Sequence, residues 1–291
     1  MKLSDIHIRD PFILVEDNTC YLIGSTDEQI WSGKASGFLG YKSTDLKNFE
    51  GPFSIFENSD DFWADENFWA PEMFKIDGKY CIFASFFNKG HCRASQVLIS
   101  DKPFGQFVPS AKPFTPEDWE CLDATYYEEN GHRYSIFSRE HLQVIDGEIC
   151  AGELNNDLTE LTNVKTLFKA SEAKWSVGFY LDRSSQKHYV TDGPFIYKMK
   201  NGRLLMLWSS NGPQGYALGL AYSDNGIMGD WKQFDEPLYT DDGGHGMIFE
   251  FKNTKYLIMH VNNKTFGKER AKLFKVIENE ESISLEELKE E

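Results

Sequence analysis

Five stretches of the chain share one arrangement of apolar and polar positions. In each, a polar or acidic turn leads into a short apolar run, a Gly, Asn or Asp turn follows, and a second run rich in Tyr, Leu and Ile completes the unit. They are DPFILVEDNTCYLIGST (10–26), APEMFKIDGKYCIFASF (70–86), DATYYEENGHRYSIFSR (123–139), DGPFIYKMKNGRLLMLWSS (192–210) and HGMIFEFKNTKYLIMHV (245–261). Their central turns, EDN, IDGK, EENG, MKNG and FKNT, supply Gly and Asn where a tight hairpin needs positive φ. Each stretch is therefore predicted to be a β-hairpin.

The units start at 10, 70, 123, 192 and 245, at intervals of 60, 53, 69 and 53 residues. A repeat of this length matches a four-stranded propeller blade, and five blades of about 58 residues fill a chain of 291. After four of the hairpins come the polar segments STDLKNF (43–49), SDKPFGQF (100–107), NNDLTEL (155–161) and SDNGIMGDW (223–231), which read as outer edge strands. The predicted architecture is all-β: a single five-bladed β-propeller over residues 1–291, with four-stranded antiparallel blades around a central acidic funnel. The segment 278–291 carries seven Glu against one Lys and reads as a solvated acidic tail.

Composition narrows the function classes. Aromatic residues make up 15%, a load that suits β-structure and stacking surfaces. A net charge of −16 without a Lys/Arg cluster argues against nucleic acid or an anionic membrane as partner. No apolar run approaches membrane-spanning length. MKLSDIHIRD lacks the apolar core of a secretory signal, and the five scattered cysteines form no CxxC pair; both favour reduced thiols in a cytoplasmic protein.

The innermost strands of a propeller start around one axis, so the residues that open the hairpins converge however far apart they lie in sequence. Those residues are Asp10, the Ala70-Pro71-Glu72 turn, Asp123, Asp192 and His245. A lone Asp-Gly is ordinarily a turn that bonds its own backbone. Three Asp residues at matching positions of blades 1, 3 and 4 point instead to chemistry. Carboxylates crowded around one funnel repel, so at least one pKa rises. A protonated acid facing an ionised base is the arrangement that glycoside hydrolysis needs.

The motifs IRDPFILVED, FWAPEMF, CLDATYYEENG, VTDGPFIY and GGHGMIF, in that order, resemble glycoside hydrolase family 43 over essentially the whole chain. The resemblance implies a five-bladed propeller that acts on arabinosides, xylosides and related sugars with inversion. It implies Asp10 as general base, Asp123 as the residue that tunes and orients the acid, and the Gly-Pro-Phe turn as the place of the general acid. Most of the family has Glu there; this chain has Asp192. One methylene less withdraws the proton by about an ångström, and misplacement on that scale can cost about a hundredfold in rate. Three explanations stand: Asp192 still reaches the glycosidic oxygen, Glu140 in SREHLQ serves as the acid instead, or the protein only binds sugar. An inverting pair stands roughly 6.5–9.5 Å apart to admit a water.

Substrate contacts are expected from Trp69, Glu72, Phe86, Arg139, Trp175 and His245, with Trp63 assigned to packing. The resemblance adds Arg270 as an arginine facing the substrate, and at His245 a structural calcium or sodium ion on the axis; no cofactor is required otherwise. The expected activity is exo-acting α-L-arabinofuranosidase, then β-xylosidase, on oligosaccharides. β-Galactofuranosidase and a catalytically inactive carbohydrate-binding propeller are the alternatives.

Overall fold

The structure, a computed structural model, describes residues 1–27, 29–182 and 184–288. The predicted hairpins form where the sequence places them. In four of the five, two consecutive residues adopt positive φ: Asp17-Asn18, Asp77-Gly78, Asn130-Gly131 and Lys252-Asn253. That geometry matches the right-handed twist of the flanking strands.

Each hairpin is the inner half of a four-stranded antiparallel sheet. Blade 1 is β1 (Arg9–Glu16), β2 (Thr19–Ser25), β3 (Gly37–Ser43) and β4 (Glu50–Glu57). Blade 2 is β5 (Glu66–Ile76), β6 (Lys79–Phe87), β7 (Ala94–Ser100) and β8 (Val108–Pro109). Blade 3 is β9 (Cys121–Glu129), β10 (His132–Arg139), β11 (Glu148–Leu154) and β12 (Leu161–Lys169). A small hairpin, β13 (Phe179–Tyr180) and β14 (Lys187–His188), precedes blade 4. Blade 4 is β15 (Asp192–Lys198), β16 (Leu204–Gly212), β17 (Gly215–Ser223) and β18 (Lys232–Gln233). Blade 5 is β19 (Gly243–Phe251), β20 (Thr254–Val261), β21 (Arg270–Glu278) and β22 (Ile283–Glu287). Among the described residues these five sheets make a five-bladed propeller.

Two expectations are corrected. The polar segments read as outer strands are the connections into them: β3, β7 and β17 end at Ser43, Ser100 and Ser223, whose hydroxyls accept backbone N–H groups of the turn that follows. Short polar side chains recur there because they satisfy turn donors. The acidic segment after Glu278 is not a free tail over its described part. Ile283–Glu287 pairs with β21 as the outermost strand of blade 5, and Ile283 is buried. Residues 289–291 lie outside the described residues.

The apolar core lies between adjacent sheets. One slab joins blades 1, 2 and 5 through residues such as Phe12, Phe38, Phe86 and Met247. Others fill the junctions of blades 3 and 4, around Trp175 and Trp208, of blades 4 and 5, and of blades 2 and 3. All five cysteines are free thiols.

Every inner strand is broken by an irregularity in register near its start. At each break one residue adopts left-handed backbone: Asp10, Ala70, Asp123, Gly193 and His245, with φ of 49°, 47°, 56°, 51° and 51°. Four of these are not glycine, and such strain costs on the order of 1 kcal/mol or more per residue. It is the point where the site is built.

Candidate active site

Two concentric rings follow from the breaks. The five left-handed residues form the ring at the axis. The residue before each, namely Arg9, Trp69, Leu122, Asp192 and Gly244, pairs with Ser25, Ser85, Ser138, Ser209 and His260 of its own second strand. Asp10, Asp123 and Asp192 were expected at matching positions. The register corrects this: Asp192 stands one residue early, and Gly193 is the true counterpart of Asp10 and Asp123.

The second-strand residues lock the rings together across blades. Ser25 Oγ accepts the Ala70 N–H (2.8 Å), Ser85 Oγ that of Asp123 (2.8 Å) and Ser209 Oγ that of His245 (2.8 Å). His260 Nδ1 accepts the Asp10 N–H at 3.2 Å, so its proton is on Nε2, which donates to Asn263 Oδ1 (3.2 Å). The junction of blades 3 and 4 departs from this pattern. There Gly193 N–H donates to the Asp123 carboxylate (3.0 Å), and the Ser138 hydroxyl is buried without a partner. Gly193 must be glycine: it is left-handed, and a Cβ would stand 2.6 Å from the His245 ring.

Asp10 is buried among donors and cations. Ser25 Oγ donates to Oδ2 (2.7 Å), while Oδ1 lies 3.2 Å from His245 Nδ1 and 3.4 Å from His260 Nδ1. Burial alone would raise its pKa, but His245, then Arg9, hold the carboxyl far below the usual carboxylate range. His245 Nδ1 also faces Asp123 Oδ2 at 3.6 Å. Burial opposes a charge on the imidazole; Asp10 and Asp123 overcome it and raise its pKa to about 10. The two carboxylates therefore favour the imidazolium form. Burial pushes His260 down to about 3, with Arg9 acting in the same sense, so it stays neutral.

The opposite side of the pocket carries the contrary bias. Asp123 and Asp192 both have raised pKa values, burial being the first cause in each. His245 pulls both down; Asp10 pushes both up, and Asp192 adds to the push on Asp123. The Tyr216 hydroxyl donates to Asp192 Oδ2 (3.1 Å). Glu140 also lines the pocket, and burial raises its pKa against the opposing charge of Arg93, 3.7 Å away. Arg93 lies 4.0 Å over the Trp69 ring, with Nε and Nη1 buried and without hydrogen-bond partners.

These groups open into a cavity of about 220 Å³. Its polar floor is Arg9, Asp10, Asp123, Asp192, Tyr216 and His245; its walls include Trp31, Trp69, His141 and Val190. Trp69 meets Trp31 edge-on at 5.3 Å, and the Trp31 ring carries the Arg9 guanidinium at 4.8 Å. Trp31 remains 54% exposed at the pocket.

Several expected contacts lie elsewhere. Phe86 is fully buried in the core between blades, edge-on to Phe68 at 4.9 Å. Trp175 is buried against Trp208 at 4.7 Å and fills the space above Gly219. Arg139 stacks on Trp119 at 3.9 Å and pairs with Glu148. Arg270 donates to the backbone carbonyls of Ser4, Gly267 and Glu269, away from the pocket. Glu72 is buried beneath the floor, with Oε2 unpartnered and its pKa pushed up to about 8 by burial. The arginine that does face the cavity is Arg9, whose Nη1 is anchored by Asn263 (2.8 Å) and Glu269 (3.2 Å). Its place directly before Asp10 was the available signal. Nothing in the local sequence marked Trp31, Tyr216 or His260, which come from other strands and loops.

A hard cation beside His245 would take the imidazole and waters as ligands. Such an ion prefers oxygen ligands; His245 Nδ1 is shared between two carboxylates, and among the described residues no group of three His, Cys, Asp or Glu side chains is arranged to hold a metal.

The profile of glycosyl hydrolases family 43 matches residues 4–278. An endo-arabinase structure from Bacteroides thetaiotaomicron is 36% identical, with a TM-score of 0.88 over 96% of this chain and 98% of that one. A xylosidase/arabinosidase from Bacteroides ovatus is 27% identical over 139 residues, 42% of each chain. This match, and that to the xylosidase/arabinosidase 43A of Humicola insolens at 23% identity over 44% of its length, span less than half of these curated relatives. An α-L-arabinofuranosidase from Lactobacillus brevis, at 18% identity and a TM-score of 0.77 over 98% of this chain and 97% of that one, shares the fold.

Proposed function

Because this chain belongs to glycosyl hydrolases family 43, we propose that it hydrolyses terminal α-L-arabinofuranosyl bonds of oligosaccharides with inversion, and β-xylosyl bonds second. One observation carries the reading: in a single pocket His245 and Arg9 lower the pKa of Asp10 against its burial, while burial raises that of Asp192. Two carboxyl groups driven apart in this way are a base and an acid.

Asp10 orients a water on one face of the sugar, and Asp192 protonates the glycosidic oxygen as the bond from the anomeric carbon to that oxygen breaks. The strongly stabilised Asp10 carboxylate is a weak base, so it takes the water proton late, once the oxocarbenium-like carbon has made that water acidic. Asp123, which shares His245 with Asp10 and accepts the Gly193 N–H, holds the Asp192 turn, and in its ionised form it favours the protonated acid. Glu140 is the second candidate for the acid: burial raises its pKa, and Arg93 at 3.7 Å opposes the rise.

The walled pocket supports exo action on one terminal sugar. The name of the Bacteroides thetaiotaomicron relative, an endo-arabinase, favours internal cleavage of arabinan instead. The deciding experiment compares nitrophenyl arabinofuranoside, xyloside and galactofuranoside with an α-1,5-linked arabino-oligosaccharide, and reads product size and anomeric configuration by NMR. Monosaccharide released as the inverted anomer is expected. Asp10→Asn and Asp192→Asn should each lose about 10²–10⁴-fold on the oligosaccharide, while Glu140→Gln keeps most of its rate. A dead Glu140→Gln beside an active Asp192→Asn would move the acid to blade 3. Binding without turnover by the wild type would make the protein a sugar binder.

A further inference from the structure

We propose that Tyr216 is the positioning residue that makes the short acid Asp192 competent. Its phenol fixes Oδ2, leaves Oδ1 to carry the proton toward the glycosidic oxygen, and stabilises the carboxylate that remains. The inference rests on the assignment of Asp192 as the acid.

The register supplies the argument. Of the five residues that precede the left-handed positions, Arg9, Trp69, Leu122 and Asp192 send side chains to the pocket. The fifth is Gly244, and its empty place is taken by the Tyr216 ring. A Cβ on Gly244 would stand 2.6 Å from Tyr216 Cε1 and 2.7 Å from Ser209 Oγ. Tyr216 comes from the third strand of blade 4, is 5% exposed, and stacks on His260 at 5.4 Å with the planes 18° apart. Held on both sides, its hydroxyl reaches Asp192 Oδ2 at 3.1 Å. Among the described residues, Oδ1 takes no hydrogen bond from the protein. A carboxyl group one methylene short therefore has one oxygen pinned and the other free in the cavity.

The hydrogen bond also sets the proton affinity. A donor to the ionised form lowers a carboxyl pKa, and Tyr216 opposes the burial that raises that of Asp192. The other charged groups that face Asp192 are His245 and Arg9, which favour its ionised form, and Asp10, Asp123 and Glu140, which favour the protonated one. Among the described residues, Tyr216 is the neutral side chain that donates to the Asp192 carboxyl. Its own pKa is raised well above the ordinary value by burial and then by Asp192, so it remains a donor through the working range.

The test is the pH dependence of kcat/KM for wild type, Tyr216→Phe and Gly244→Ala, on α-1,5-arabinobiose and on nitrophenyl arabinofuranoside. Tyr216→Phe keeps the ring and its stack. It is expected to lose about 10–100-fold on the disaccharide, less on the nitrophenyl glycoside, whose leaving group needs little acid help, and to move the alkaline limb up by about one pH unit. Gly244→Ala pushes the ring aside and should move the limb the same way. An NMR titration of the Asp192 side-chain carboxyl gives the same comparison without turnover. Equal losses on both substrates with an unmoved limb and an unmoved Asp192 titration would reduce Tyr216 to a packing residue, with the acid assignment intact. Wild-type rates from Asp192→Asn on the disaccharide would overturn the acid assignment itself, and this inference with it.

Discussion

The Asp10 and Asp192 sides of the pocket share the chemical group and the His245 neighbour, yet their proton affinities are driven in opposite directions. On the Asp10 side, blades 5 and 1 bring Arg9 and the Ser25 hydroxyl to the carboxylate, with the neutral His260 accepting its backbone N–H. On the Asp192 side, blades 3 and 4 bring Asp123, Glu140 and one phenol. Charged partners decide the outcome, because desolvation acts on both sides in the same direction. The junction of blades 3 and 4 is also where the second-strand side chain does not accept the inner-strand amide, and Ser138 is left without a partner. There the Asp123 carboxylate takes over a structural bond that serines supply at other junctions, and one buried hydroxyl is left unsatisfied, which ordinarily costs about 1–3 kcal/mol.

The contrast breaks most completely at His245. His245→Gln removes the cation that depresses Asp10, so the Asp10 pKa rises. An acid limb should then appear in kcat/KM between pH 4 and 6, with a loss of about 10²–10³-fold near neutrality; the wild type should have no such limb in that window. The wild type is also expected to keep its rate in EDTA and in sodium-free buffer, since the imidazolium supplies the axial charge. Loss of activity on chelation, restored by calcium, would instead put an ion there.

Arg9 sharpens the same side with a smaller effect. Arg9→Lys keeps the charge but loses the planar fork and its place over Trp31, and is expected to raise KM about tenfold. Arg270→Ala removes only bonds to three backbone carbonyls and should leave KM unchanged. Steady-state kinetics on the disaccharide separates the two.

Glu72 yields an effect on stability alone. Its pKa in the folded state is about 8 against an ordinary 4.5. A raised folded pKa contributes stability that is fully present below the unfolded value and is lost as pH climbs through the folded one. Wild-type stability should therefore decline between about pH 4.5 and 8 through this group, by a few kcal/mol at most. Glu72→Gln should flatten that decline and be the more stable protein at pH 8, read as Tm against pH. A parallel pair of Tm curves would show Glu72 to be ionised in the fold.

Much of the fold was legible because hairpins write themselves locally. Asn and Gly at positive φ, flanked by apolar runs, fix a turn wherever they occur, and five such units at a blade-sized period allow few other all-β architectures. Asp10, Asp123 and His245 were legible for the same reason, as residues opening repeated units. The errors mark where local reading ended. Phe86 and Trp175 are aromatics near the predicted funnel, but which face of a strand meets the pocket depends on register and on the neighbouring blade. Arg270 opens β21, and its guanidinium is spent on carbonyls away from the pocket. The one-residue offset of Asp192 was invisible, since DGP and RDP look alike until the strand pairing is known.

The sequence by itself therefore determined the hairpins, the number of blades and the identity of the acidic residues on the axis, because these depend on turn chemistry and periodicity within short segments. The tertiary structure alone decided which carboxyl has its pKa lowered and which raised, that Arg9 rather than Arg270 faces the cavity, and that Gly244 makes room for Tyr216 to reach Asp192. Protonation and reach are set by groups three to six ångströms away in space, and in a closed propeller those groups come from other blades, tens to hundreds of residues distant along the chain.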